Sequence, residues 1–212
     1  MEKTVLNFSE CTLALLDKKF NLSQILKCEI LENWLNQDAE ISSFEKQLLH
    51  RIQHKLILNV HDWNETELIQ NFIGPVFAFV DYTTKRCNFF AGRYFSGIVH
   101  EIELHGKPDG MIASGFREPE QPYFCFQEYK KSMEQKGDPA GQCLAAMLVA
   151  QEMNEHQTAI YGCHVIGADW YFMLLQGKEY IITPAYVATR DDIFDIFRIL
   201  KALKQIIIGM LE

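Results

Sequence analysis

The chain has no apolar run of membrane-spanning length; uninterrupted stretches such as residues 75–80 and 206–208 fall far short of the ~18–20 residues a spanning helix requires. The N-terminus also lacks a secretory-signal pattern, because Glu2 and Lys3 precede a weakly apolar run broken by Asn7, Ser9 and Glu10. A cytoplasmic protein that does not enter a membrane is the expectation. No C-x-x-C pair occurs among the six cysteines, Cys11, Cys28, Cys87, Cys125, Cys143 and Cys163, and their spacing is unlike a disulfide framework. They read as free, mostly buried thiols. Positive charge is scarce: 20 Lys+Arg face 28 Asp+Glu, and the net of −8 discourages loose binding to nucleic acid while leaving room for a local basic groove. The phosphate-cradling G-x-x-x-x-G-K-[ST], the serine elbow G-x-S-x-G and the dinucleotide loop G-x-G-x-x-G are all missing, so motor, serine-hydrolase and Rossmann readings have no support.

What is present is 212 residues, 48% of them hydrophobic, enough to bury a core as one elaborated domain or two small ones. No internal repeat or low-complexity segment occurs. Residues 1–60 read as a helical prefix. Leu22, Ile25, Leu26, Ile30, Leu31 and Trp34 recur at helical intervals, as do Phe44, Leu48, Leu49 and Ile52, with Asn21-Leu22-Ser23 and Ser42-Ser43 as N-cap candidates. Residues 61–212 read as an α/β domain. Asn64-Glu65-Thr66-Glu67 announces a helix in which Asn64 caps and Glu67 bonds back, with Gly74-Pro75 ending or bending it. Residues 94–105 and 108–114 are predicted to form a hairpin turning at Gly106-Lys107, followed by a strand over 123–130. Asp138-Pro139 starts a helix running to Met153, since Asp caps well and Pro fits the first turn. Strands over 158–166, 170–175 and 179–183 and a closing helix over 191–211 complete a mixed sheet flanked by helices. The closing helix is apolar beyond one stripe, adding Phe194, Ile206, Ile208, Met210 and Leu211, which implies burial against the prefix, a second copy or a partner protein.

The residues that carry chemistry are Pro108-Asp109-Gly110 and Glu128-Tyr129-Lys130. Alternate strand residues share a face, so Phe124, Phe126, Glu128 and Lys130 form a row that turns from apolar to charged. Charge on a core-facing row is costly unless paired or holding a metal. If the strands are neighbours, Asp109 reaches the same spot. Two carboxylates at a strand edge suit Mg²⁺, which takes one or two protein carboxylates and substrate phosphate. Lys130 would then orient a water or offset developing charge. The plainer alternative is a buried ion pair that fixes strand register.

Helix, three strands carrying P-D and E-x-K, helix, strand resembles the PD-(D/E)XK nuclease superfamily, the restriction-endonuclease-like fold, with Asp109, Glu128 and Lys130 at its signature positions. The likeness spans residues 61–166 and is greatest to the N-terminal nuclease domain of type I restriction R subunits and their stand-alone relatives, which often open the first core helix with N-E and a following Pro, as Asn64-Glu65 and Pro75 do here. The resemblance implies a Mg²⁺- or Mn²⁺-dependent nuclease acting on DNA, linked to restriction or defence, with Asp109 and Glu128 as metal ligands and Lys130 as catalytic lysine. Glu65 or Glu67 would add a carboxylate. Gln142 falls where several branches carry Q-x-x-x-Y, although Ala146 replaces the Tyr. The expectation is a nuclease domain without a motor in cis. The rival is a nuclease-like fold kept as a binding or assembly module, suggested by the net charge and the closing helix.

Other signals are weaker. His50 and His54 are four apart on a predicted helix but lack a third ligand, and Cys163 and His164 project to opposite faces of a strand. Lys130, Lys131 and Lys136, with Lys107 and Arg93, would line a phosphate channel or be ordinary surface charge. Phe116, Tyr123 and Tyr129 would stack bases or belong to the core.

Overall fold

The computed structural model describes residues 4–131 and 137–212. In chain order the elements are β1 (Val5–Asn7), α1 (Leu13–Phe20), β2 (Ser23–Gln24), α2 (Glu29–Asn36), α3 (Ser43–Asn59), α4 (Glu65–Leu68), a π turn (Ile69–Ile73) and α5 (Gly74–Val80). Then follow β3 (Cys87–Ala91), β4 (Phe95–Val99), β5 (Ile102–Gly106), β6 (Gly110–Ser114), β7 (Glu120–Lys130) and α6 (Pro139–Met153). The chain continues with β8 (Ile160–Ile166), β9 (Asp169–Gln176), β10 (Glu179–Ile182), β11 (Tyr186–Val187) and α7 (Asp192–Leu211).

The large mixed sheet runs β2-β10-β9-β8-β7-β6-β3, with β11 on β9, and only β7–β8 and β2–β10 are parallel pairs. One face packs against α2, α3, α5 and α7, and the other against α6, α1 and a small sheet of order β1-β5-β4. Strands β6 and β8 are covered on both faces, so they read as nearly continuous apolar runs. Helix α6 lies between the two sheets. It is apolar all round, and every residue from Ala140 to Gln151 is buried. Asp138 caps it as expected, its carboxylate accepting from the Gly141 N–H at 3.0 Å and the Leu13 N–H at 2.8 Å. No helix among the described residues is long and apolar enough to cross a membrane.

The first 60 residues depart from the all-helical expectation. Strand β1 pairs with β5 and β2 with β10. Asn21 does not cap α2; it ends α1 in the left-handed conformation (φ 53°), and α2 starts only after Cys28. Ser42 does cap α3, in a box with Glu45. Helices α2 and α3 cover the second apolar face of α7. Trp34, 1% exposed, donates its indole N–H to the Ile199 carbonyl at 2.9 Å, and Lys201 meets Glu45 at 2.8 Å. The α7 residues Ile208 and Met210 stay exposed.

The predicted hairpin is also corrected. Residues 94–105 are two strands, β4 and β5, joined by a tight turn with positive φ at His100 and Glu101 (45° and 69°). Residues 107–109 carry the chain from the small sheet to the large one, where β6 pairs with β3 and β7 rather than β5. Pro75 does not end its helix. A proline ring obstructs the carbonyl four residues back and supplies no N–H, and the wider π turn accommodates it, with the Gly74 N–H reaching the Ile69 carbonyl.

Candidate functional site

Asp109, Glu128 and Lys130 meet at one end of the large sheet, under the start of α6. The β6–β7 ladder sets Gly110 opposite Gln127, so Asp109 stands beside Glu128 on the adjoining strand. The Asp109 carboxylate accepts the Tyr129 backbone N–H at 2.7 Å, which fixes its height on β7. Gly110 permits this approach: a Cβ there would meet the Gln127 amide oxygen and lie 2.8 Å from the Phe89 ring. The register shifts between Ile112 and Ala113, so Phe124 is the extra residue of a bulge and packs on the α7 side while Phe126 packs under α6. The charged row is therefore Phe126, Glu128, Lys130. Phe124, expected in that row, is on the other face.

Lys130 Nζ donates to Glu128 Oε1 at 2.8 Å and to the Tyr129 carbonyl at 3.0 Å, and it lies 3.5 Å from Glu65 Oε2. Glu128 is 6% exposed. Burial, and next the charge of Asp109, push its carboxyl up to about 7 against the pull of Lys130. Burial likewise raises Asp109, opposed by the Tyr129 N–H and Lys130. For Lys130, burial alone would lower the ammonium's pKa, but Glu128, Asp109 and Glu65 outweigh it and raise it. Three carboxylates thus share one ammonium. A buried pair serving only strand register needs one carboxylate, and the excess here is two carboxyl groups.

That excess, on two adjoining oxygen donors, fits a hard dication. Asp109 and Glu128 would hold it; Glu65 contributes through Lys130. Among the described residues no three of His, Cys, Asp and Glu are grouped to hold a metal ion; Mg²⁺ is a cation that binds through as few as one or two protein carboxylates.

The remaining predicted residues divide. The Glu65 carboxylate reaches the site from the start of α4. Glu67 is exposed and engaged in the capping box, accepting the Asn64 N–H at 2.8 Å. Gln142 is buried in the first turn of α6, its amide against Gly137, without a hydrogen bond to the charged trio. Among the other candidates, Arg93 pairs with Glu118 at 3.3 Å, Tyr123 and Tyr129 are core residues, Phe116 is exposed, and Lys136 lies outside the described residues. His50 packs edge-on against Phe194.

From the sequence alone His164 is marked only as facing away from Cys163. It is the direct β8 partner of Glu128, buried on the α6 face, with its ring stacked on Tyr171 at 4.6 Å. Burial holds it down to about 4, with Asp138 opposing, so the imidazole is neutral at neutral pH. A polar residue on a row of Ile160, Gly162 and Ile166 was the available signal. Compared with known proteins, the chain matches no family model and no curated protein.

Proposed function

We propose that the protein is a Mg²⁺-dependent nuclease that hydrolyses phosphodiester bonds in DNA, of the restriction-endonuclease-like kind and belonging to restriction or defence. The observation that carries this reading is the convergence of Asp109, Glu128 and Lys130 on adjoining strands with more carboxylate than counter-charge. The order helix (α4–α5), strands β3, β6 and β7, helix (α6) and parallel strand (β8) supports it, with β3 in the place that the sequence reading gave to residues 94–105. When bound, the cation would supply Lewis-acid polarisation of the phosphate and acidify a water. Asp109, held by the Tyr129 N–H, and Glu128 would present the oxygen donors. Lys130 would orient the attacking water or offset charge developing on the phosphate, its ammonium kept in place by Glu128 and Glu65.

One observation favours the rival reading, a nuclease-fold module without turnover: Arg93, a candidate for the phosphate channel, is already tied to Glu118. Calorimetric titration with Mn²⁺ separates the two. The nuclease reading expects one site in the wild type, lost in Asp109→Asn without loss of fold. No metal binding by folded wild type selects the module.

A further inference from the structure

Beside the carboxylates lies a cavity of about 460 Å³, within the ~300–1,000 Å³ typical of small-molecule sites. His164 and Ile166 form its near wall, and these are the ladder partners of Glu128 and Lys130. Paired residues of a parallel ladder share a face, so the wall stands one strand spacing, ~4.8 Å, from the charged row. From there the cavity crosses Tyr171 to Thr183, roofed by Asp138 at the start of α6.

Its chemistry suits an uncharged flat ring. The His164 and Tyr171 rings lie parallel within 5°, an aromatic column to which a further ring can add. His164 is 5% exposed, and only its Nδ1 has a neighbour, Met173 Sδ at 3.3 Å; the other ring nitrogen has no hydrogen-bond partner among the described residues. The Thr183 hydroxyl accepts the Phe172 N–H at 3.0 Å and has its own proton left to donate. The described lining holds no Lys or Arg, and Asp138 contributes a carboxylate, so a phosphate is disfavoured inside and favoured outside at Lys130.

We infer that this cavity receives the unstacked base of a single-stranded or flipped-out nucleotide whose phosphate lies at Asp109, Glu128 and Lys130. The inference rests on the phosphodiester reading above and adds the substrate class, because a base stacked in a duplex cannot enter. Separate probes address the two halves: deoxynucleosides without metal for the cavity, and deoxyribose 5-phosphate with Mg²⁺ for the carboxylates. Deoxynucleosides should bind wild type in calorimetry or ligand-observed NMR. Their binding should weaken about tenfold or more in Tyr171→Ala, by loss of stacking, and in Ile166→Trp, which fills the cavity. Tyr171 and Ile166 are both half-buried, and thermal melting checks that each variant folds. Nucleoside 5′-monophosphates should bind more tightly than nucleosides only with Mg²⁺, a gain lost in Asp109→Asn. Absence of nucleoside binding, or binding that both cavity variants leave intact, overturns the inference even if deoxyribose 5-phosphate and Mg²⁺ still bind. Nucleoside binding to which phosphate and metal add nothing overturns the placement of the phosphate and so the inference, whereas absence of deoxyribose 5-phosphate binding with Mg²⁺ counts against the proposed function.

Discussion

In the variant Glu128→Gln the buried carboxylate loses its charge but keeps its shape, which makes the electrostatics of the site measurable as a pH profile. Glu128 is raised from its ordinary 4.5 to about 7 in the folded protein. A carboxyl that binds its proton more tightly when folded contributes stability below its unfolded pKa and loses that contribution as pH rises through the folded value. The window is therefore pH 4.5 to about 7. Across it wild type should lose about 3 kcal/mol relative to the variant, at roughly 1.4 kcal/mol per pKa unit. The hydrogen bond from Lys130 strengthens as Glu128 ionises, and that pull is already contained in the value of about 7, so it adds no separate pH dependence. The assay is thermal melting of both proteins from pH 4 to 8, where the difference in midpoint should change by about 6–12 °C for a chain of this size. Saturating Mg²⁺ should flatten the wild-type profile, since the ion binds the ionised carboxylates. A midpoint difference that stays constant across this range, or rises with pH, refutes the reasoning.

Further perturbations address the supporting structure. Trp34→Ala removes a fully buried ring and its bond to Ile199, and should cost about 3–5 kcal/mol in denaturant unfolding, in a single transition if the first 60 residues share the core. Asn64→Ala breaks the capping box at the start of α4 and should cost about 1 kcal/mol while loosening Glu65, read as weaker Mn²⁺ binding in calorimetry. Gly110→Ala sets a methyl against Gln127 and Phe89 and should lower both the melting midpoint and metal affinity, whereas Gly209→Ala, with open space around its Cβ, should leave metal affinity unchanged.

The sequence was most legible where local chemistry and tertiary structure agree. Asp138-Pro139 announces α6, and the Ser42/Glu45 and Asn64/Glu67 boxes mark the starts of their helices. The box also explains why Glu65 and not Glu67 reaches Lys130: the cap already occupies the Glu67 carboxylate. The meeting of Asp109 with Glu128 and Lys130 followed from strand alternation and adjacency. The β4–β5 turn was hidden because His100-Glu101 carries neither the Gly nor the Asn that usually marks positive φ. Strands β1 and β2 were hidden because their partners, Glu103 and Glu179 among them, lie far along the chain, and segments of three and two residues have no period of their own. The bulge at Phe124 depends on β6, and the cavity wall at His164 on three neighbouring strands.

The central claim is that Asp109, Glu128 and Lys130 perform metal-dependent phosphodiester hydrolysis. Its most direct measurement is cleavage of end-labelled single-stranded, duplex and circular DNA by purified protein with Mg²⁺ or Mn²⁺, in parallel with Asp109→Asn and Lys130→Met. Wild type should cut, most readily the single strand, chelation should stop it, and each variant should be slower by about 10²-fold or more while melting as a folded protein. Wild type that cuts none of these substrates, or Lys130→Met that cuts as fast as wild type, contradicts the account.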